Sequence, residues 1–352
     1  MGDALGAPVE CLRYAEIGQR FGPRGITHYA PAYGRLGAIT DDTQMTLFTA
    51  EGLIRARVWR QDPGSERVAE RVGAAYGRWW ETQTGRPLRP ERGRDLTDWL
   101  ISHRALHARR GPGKTCLSAI SAMTVRGCSA RNDSKGCGGV MRIAPVGLIA
   151  GCEGRAAQET MAMGRALAAL THGHPTGSIA AGALAVWIAE IVQGRGLAAG
   201  LATVSACLAR EPQGRATQEA LAHAEALARD DPADPVQAIH ELGRGAVAEE
   251  ALAIALYCAL TARDFADGVI RAVNHDGDSD STGSITGAVL GALWGDEAIP
   301  ARYRDPLELH DVISEMAEDL AAVCAWPVID DGKASRTERQ FAERMRRKYP
   351  GC

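Results

Sequence analysis

Two acidic clusters stand far apart in this chain, Thr40-Asp41-Asp42-Thr43-Gln44 near the start and Asp276-Gly277-Asp278-Ser279-Asp280-Ser281 near the end, and each leads into an apolar run with helical periodicity. Clustered aspartates beside hydroxyls supply the oxygen donors that hard divalent cations require, where a single carboxylate binds weakly. Read jointly, the clusters look like two halves of a split metal site. Asp41, Asp42, Asp278 and Asp280 carry four negative charges, which two divalent ions balance. A chain that closes around such a pair must bring its first third against its last, which argues for one domain over residues 1–352 and for metal-assisted chemistry.

A chain of 352 residues can bury a large core. Its 40 basic and 43 acidic side chains leave a net charge of −3, so nothing general draws it to nucleic acid or to an anionic membrane. The nine cysteines form an odd set without a C-x-x-C pair, and no N-terminal stretch reads as a signal peptide, so the expected setting is a reducing cytoplasm. The longest mostly apolar run, 179–192, is shorter than the roughly 18 residues of a spanning helix and is interrupted by Glu190. No membrane crossing is expected.

Ala and Leu dominate, period-2 alternation is rare and aromatic residues make up only 5%, a pattern that favours an all-α fold. Helices are expected at 42–57, 65–82, 95–108, 116–125, 156–171, 178–193, 196–209, 216–229, 235–242, 247–261, 265–274, 282–294 and 336–348. The connections at 18–37, 85–94 and 127–139 are rich in Gly and Pro, but none is a long low-complexity linker, and no fixed-period repeat occurs.

Each cluster has a plainer explanation. Asp41 with Gln44 has capping-box spacing and Thr40 is a good N-cap, yet one cap needs one acceptor and this segment offers several. The second cluster suits a polar turn ahead of a helix. A calcium loop of the EF-hand type fails because Val289 stands where the closing Glu belongs. Beyond it, Gly283, Gly287, Gly291 and Gly295 recur every fourth residue, each weakening a helix by about 1 kcal/mol relative to alanine. Close packing of a neighbouring helix is the expected compensation.

Five motifs resemble the ADP-ribosylglycohydrolases: Gly2-Asp3-Ala4-Leu5-Gly6-Ala7-Pro8-Val9-Glu10, Thr40-Asp41-Asp42-Thr43-Gln44, Gly136-Cys137-Gly138-Gly139-Val140-Met141-Arg142, Thr171-His172-Gly173-His174 and Gly277-Asp278-Ser279-Asp280-Ser281-Thr282-Gly283. They occur in family order from residue 2 to about residue 295. The resemblance implies a single-domain orthogonal helical bundle, a centre of two divalent cations (magnesium or manganese), and hydrolysis of ADP-ribose from modified side chains. It makes Thr40, Asp41, Asp42, Asp278, Asp280 and Ser281 the metal ligands, with Ser281 where many relatives have Thr. It places Glu10 as the active-site glutamate, and leaves Glu10 and Asp42 as the two candidates for steering or deprotonating the attacking water. Gly136, Cys137, Gly138, Gly139, Val140 and Met141 match the loop that holds the diphosphate and its ribose, in line with the affinity of exposed glycine N–H groups for anionic oxygens. Family members often have Asn at the position of Cys137. His172 matches a substrate-contacting position. Taken alone, the Thr171 to Pro175 stretch reads as a helix end capped by Gly173.

Relatives usually carry a short helix before the first motif, whereas this chain starts at Met1, so apolar surface beside Glu10 is expected to be exposed. Among linkages, arginine is favoured because the Ala7-Pro8-Val9-Glu10 and Thr171-His172-Gly173-His174 segments look like bacterial arginine-directed members. Serine-linked or free ADP-ribose derivatives are the alternative substrates, and a non-catalytic crystallin-like binder is the alternative class, disfavoured because all four aspartates persist. The implied partner is a mono-ADP-ribosylated protein, with a cognate ADP-ribosyltransferase or toxin as the source of the modification. Two other features carry no function. Gly113-Lys114-Thr115 lacks the preceding glycine and strand of a phosphate loop, since position 108 is Ala108. The basic run Arg344 to Lys348 reads as a solvated helix face.

Overall fold

The computed structural model describes residues 1–59, 66–88, 98–230, 234–326 and 335–351. Its helices are α1 (Gly2–Gly6), α2 (Tyr14–Phe21), α3 (Asp41–Val58), α4 (Glu66–Thr84), α5 (Lys114–Ala122), α6 (Ala144–Cys152), α7 (Ala157–Ala169), α8 (Pro175–Val192), α9 (Gly196–Leu208), α10 (Arg215–Asp230), α11 (Pro235–Leu242), α12 (Ala248–Thr261), α13 (Phe265–Val273), α14 (Ser279–Trp294), α15 (Ala301–Arg304), α16 (His310–Ala325) and α17 (Arg336–Lys348). Among the described residues there is no strand; two isolated bridges, Ala32 with Arg35 and Gly136 with Val247, tie loops together. The all-α expectation holds.

One apolar core runs from Ala4 to Tyr349. α8 lies at its middle, packed by α6, α7, α9 and α12, while α14 touches α1, α3, α6, α8, α12 and α13. α8 corrects the membrane argument made from sequence. It begins four residues before the apolar run, which makes it 18 residues long and apolar enough to cross a membrane, but 89% of that window is buried inside the protein. Its one acid, Glu190, accepts from Arg195 Nη2 at 2.6 Å and Thr203 Oγ1 at 2.7 Å, so the charge is matched at the helix edge.

α3 is buried on nearly every face, a pattern that occurs only when polar side chains find partners inside. Glu51 accepts from Arg55 at 3.0 Å and from Arg78 at 2.7 and 3.1 Å, and Asp98 lies 3.1 Å from Arg55. Among the described residues, two arginines and two acids thus pair in a buried cluster beside α3 and α4. Burial alone would raise the Glu51 pKa, but the two guanidiniums outweigh it and hold the carboxyl below its usual range.

Most expected helices are present within a few residues. The segment 95–108 is not one: residues 95–97 lie outside the described residues, and the remainder forms turns ending in a short 3₁₀ helix at Arg104–His107. The Ser102 hydroxyl bonds back to Trp99 O at 2.6 Å, a local alternative to the helical ladder, while Trp99 packs edge-on to His103 and Tyr349. Residue 65 of the expected helix 65–82, and 89–94 of the connection 85–94, also fall outside. Sequence reading missed α2, α6 and α16 and the short α1 and α15. α6 is apolar all round and shows no helical period; α16 buries Val312, Met316, Leu320 and Val323 at helical spacing, a signal that was present. The apolar exposure expected beside Glu10 is not seen, because Leu5 and Val9 are fully buried. The basic run on α17 is only partly solvated: Lys348 bonds Glu315 and Asp319 and sits 3.7 Å above the Trp99 ring.

Candidate active site

The site is assembled by bare backbone. A Cβ added to Gly2 would lie 1.8 Å from Gly283 O, and one on Gly6 would lie 2.4 Å from Ser279 O, so α1 rests directly on the first turns of α14. The glycine stripe is therefore explained at Gly283 and, more loosely, at Gly287. A Cβ added at Gly291 or Gly295 would meet no neighbouring element within 4 Å; Gly295 has a φ of +74° and ends the helix. α14 starts at Ser279, three residues earlier than expected, so Asp280 and Ser281 sit in its first turn and Asp278 is its N-cap.

Asp3 then fixes the start of α3. It is 1% exposed and accepts from Thr40 N–H at 3.0 and 3.1 Å, from Thr40 Oγ1 at 2.8 Å, from Thr43 N–H at 3.2 Å and from Thr43 Oγ1. A helix normally finds such acceptors in its own cap; here another helix lends them. The Gly2 to Glu10 motif does not by itself disclose a role for Asp3. An aspartate inside an apolar Gly-Asp-Ala-Leu-Gly stretch was the available signal. Thr40 itself caps Asp42 N–H at 3.3 Å, and Gln44 does not close a capping box, since its amide serves Trp79, Gln83 and Ala108 O instead.

The two acidic clusters meet. Asp42 Oδ2 lies 3.4 Å from Ser281 Oγ across 239 residues of sequence and 3.5 Å from Thr40 Oγ1. Asp41 Oδ2 accepts from Gly113 N–H at 3.0 Å, the actual employment of the Gly-Lys-Thr segment. Asp280 Oδ1 accepts from Ser281 N–H at 2.9 Å, and Asp278 Oδ2 accepts from Cys137 Sγ at 3.0 Å. Glu10 faces the same space: a Cβ on Gly111 would lie 3.7 Å from Glu10 Oε2, 3.8 Å from Asp41 Oδ1 and 3.2 Å from Tyr33 Oη. Asp276 stands apart, accepting from Tyr14 N–H.

Electrostatics mark this cluster as under-compensated. Asp41, Asp42 and Asp280 are 2–5% exposed, and among the described residues none of them, nor Asp278 or Glu10, is ion-paired with Lys or Arg. Burial, reinforced by Asp3, Asp278 and Glu10 and opposed by the Gly113 N–H, pushes Asp41 up to about 8. Burial and the neighbouring carboxylates likewise raise Asp42 and Asp280, and burial with Asp278 and Asp3 raises Glu10. Asp42 Oδ1 is buried without a partner. No three Asp, Glu, His or Cys side chains among the described residues converge as a ready-made ion cage. What is present is an open set in which the hydroxyls of Thr40 and Ser281 alternate with carboxylates. That set, with its orphaned oxygen and closely spaced acids, has the donor chemistry that divalent cations require.

The Gly136 to Met141 loop lies beside it. Cys137 N–H bonds Ala246 O at 3.1 Å, and Val140 and Met141 N–H both return to Cys137 O, at 2.7 and 3.1 Å. With Gly136 N–H on Ser134 Oγ, the candidate anion donors of this loop narrow to Gly138 and Gly139. Val140 points into the core and Met141 Sδ lies 3.8 Å from Ser281 Oγ.

His172 packs against the loop; a Cβ on Gly136 would be 3.4 Å from its Nε2. Gly173 does not cap α7, which ends at Ala169, and its φ is not positive. It is glycine because a Cβ would meet Asn132 O at 2.1 Å. Buried Arg142 stacks 4.4 Å over Tyr76 and donates to Thr171 Oγ1 at 2.6 Å, and Thr171 Oγ1 lies 2.8 Å from His172 Nδ1. Arginine can only donate, and His172 Nδ1 at 2.8 Å is closer to the threonine hydroxyl than Ala168 O at 3.5 Å. Nδ1 therefore accepts and Nε2 carries the hydrogen, facing the loop as a neutral donor.

Burial, with the Arg142 charge behind it, lowers the His172 pKa to about 3. The unfolded chain then binds an extra proton below pH 6.5, so this residue subtracts stability as pH falls from about 6.5 toward 3. At roughly 1.4 kcal/mol per unit, stability from pH 7 to 5 should fall about 2 kcal/mol further in the wild type than in His172→Asn. The buried acids shift in the opposite direction, so the paired difference, measured by chemical denaturation in chelator, isolates the histidine. Equal losses in both proteins would refute the neutral buried assignment.

Comparison with known proteins identifies the family. The ADP-ribosylglycohydrolase family profile matches residues 1–328. The chain is 27% identical over 334 residues to the ADP-ribosyl-[dinitrogen reductase] glycohydrolase of Rhodospirillum rubrum, covering 94% of each chain. It is 28% identical over 324 residues to an uncharacterized protein of Archaeoglobus fulgidus, covering 91% of this chain and 92% of that one. A solved structure described as an ADP-ribosylglycohydrolase-related protein complex superposes with a TM-score of 0.60 at 25% identity, over 92% of this chain and 94% of the other. The chain belongs to the ADP-ribosylglycohydrolase family, hydrolases that act on ADP-ribosylated substrates.

Proposed function

We propose that this protein removes ADP-ribose from modified arginine side chains of proteins, using two divalent cations, magnesium or manganese. The observation that carries the metal dependence is the 3.4 Å approach of Asp42 to Ser281, which joins two buried acidic segments that lack any cationic side chain. Thr40, Asp41, Asp42, Asp278, Asp280 and Ser281 would hold the ions. Bound there, divalent cations supply Lewis-acid polarisation and orient ribose hydroxyls. Glu10 is the better placed of the two candidate bases. It is half-buried with a raised pKa, whereas Asp42 is buried with one oxygen already beside two hydroxyls. His172 Nε2–H, with the N–H groups of Gly138 and Gly139, suits an anionic diphosphate or ribose oxygen.

Arginine is chosen on the likeness of the segments ending at Glu10 and His174 to arginine-directed members. The natural partner would be a mono-ADP-ribosylated protein, modified by a cognate transferase or toxin. A cytoplasmic setting follows the sequence expectation, from nine cysteines in an odd set without a C-x-x-C pair. The test is incubation of the purified chain with arginine- and serine-linked ADP-ribosyl peptides, and with free ADP-ribose derivatives, in magnesium or manganese, with products identified by mass spectrometry. Release of ADP-ribose from the arginine peptide is expected. Release from serine alone would overturn the linkage, and binding without release from any substrate would favour a non-catalytic binder.

A further inference from the structure

We infer that Cys137 is a thiolate ligand of the metal centre, adding one soft donor to an otherwise all-oxygen set and tilting this protein toward thiophilic divalent ions such as cobalt, zinc and cadmium. The inference rests on the metal reading above. Cys137 Sγ lies 3.0 Å from Asp278 Oδ2 and 3.5 Å from Ser281 Oγ, and Ser281 Oγ in turn lies 3.4 Å from Asp42 Oδ2. With metal–sulfur bonds of about 2.3 Å and metal–oxygen bonds of about 2.1 Å, two donors on one ion stand about 3.1 Å apart at a right angle and about 3.6 Å apart at a tetrahedral angle. Both sulfur–oxygen separations fall close to that interval. The fourth group of the chain of contacts, Asp42, keeps Oδ1 buried and unpartnered, so the cluster holds an oxygen donor that no protein group satisfies.

The loop holds the sulfur in place. Cys137 is anchored through its N–H to Ala246 O, and its carbonyl accepts from Val140 and Met141, so the backbone that carries the thiol is fixed beside Asp278 and Ser281. Ligation breaks the S–H bond; the proton leaves to solvent and the sulfur lone pair forms the metal bond, with no change of oxidation state. Thiolate ligation favours borderline and soft ions over magnesium, which prefers oxygen alone. The same distances also suit an S–H donor that merely orients Asp278, and the experiment separates the two.

Full-length chain, stripped with chelator, is loaded with cobalt(II) and its near-ultraviolet spectrum recorded beside Cys137→Ser and Cys137→Asn, with folding of each checked by thermal melting. A thiolate-to-cobalt charge-transfer band is expected in the wild type and in neither variant. Calorimetry should show cadmium affinity falling about tenfold or more in both variants, with magnesium affinity little changed. If cobalt binds and no charge-transfer band forms, or if the band persists in both variants, the ligand assignment falls while the metal reading stands. If no divalent ion binds the wild type, the metal reading itself is overturned.

Discussion

Asp41→Ala or Asp278→Ala should lower ADP-ribose release by about 10³-fold and, on the proposed metal reading, abolish stabilisation of the folded chain by divalent ions. Lewis-acid polarisation contributes several kcal/mol to a transition state, and each 1.36 kcal/mol is a factor of ten. Asp41 is held by Gly113 N–H at 3.0 Å and Asp278 by Cys137 at 3.0 Å, so neither anchor helps a truncated side chain. An ion present at 100 times its Kd stabilises the wild type by about 2.7 kcal/mol, a rise in melting temperature that the variants should not show. In chelator the order reverses. Asp41 in the folded protein holds its proton up to about pH 8, so its own contribution to wild-type stability is lost as pH rises from about 4 to about 8, and the stability of the wild type relative to Asp41→Asn should fall over that range. Full activity in either alanine variant would remove these residues from the reaction.

Gly6→Ala should destabilise the protein by about 3 kcal/mol or more, the upper range for overpacking, and abolish release even in the fraction that folds. Its Cβ would enter the α14 backbone, 2.4 Å from Ser279 O and 2.6 Å from Asp280 Cα, where no rotamer change relieves the clash. The required shift separates Asp3 and Glu10, carried by α1 and the residues after it, from Asp280 on α14. Gly291→Ala on the same stripe is the control: no atom lies within 4 Å, so alanine should stabilise by up to about 1 kcal/mol through helix propensity alone. Urea denaturation and activity of the pair decide the matter, and equal behaviour would show that the stripe has no packing role.

The pair also shows how far a one-dimensional reading reaches. Four glycines at spacing four announced a packed helix face, yet only the half nearest α1 is packed, because the neighbour is five residues long. α16 is legible in its apolar spacing; α6 is not, since a short helix buried on all sides has no polar face to set a period. Segment 95–108 read as helix, but a serine hydroxyl and a tryptophan with tertiary partners turned it. Asp276 and Asp278 look alike in sequence and differ in space, one anchoring Tyr14 N–H and the other facing Cys137.

Sequence alone determined the all-α class, the positions of most helices and which acidic residues could carry chemistry, because helical period and short-range composition are local properties. Tertiary structure alone decided that α1 touches α14 through bare glycine backbone, that Asp3 serves as a cap for a helix 37 residues away, and that Cys137 stands against Asp278 and Ser281. Those contacts link residues whose separation along the chain leaves no periodic trace, and the energy of each depends on burial and on neighbours that only the folded chain assembles.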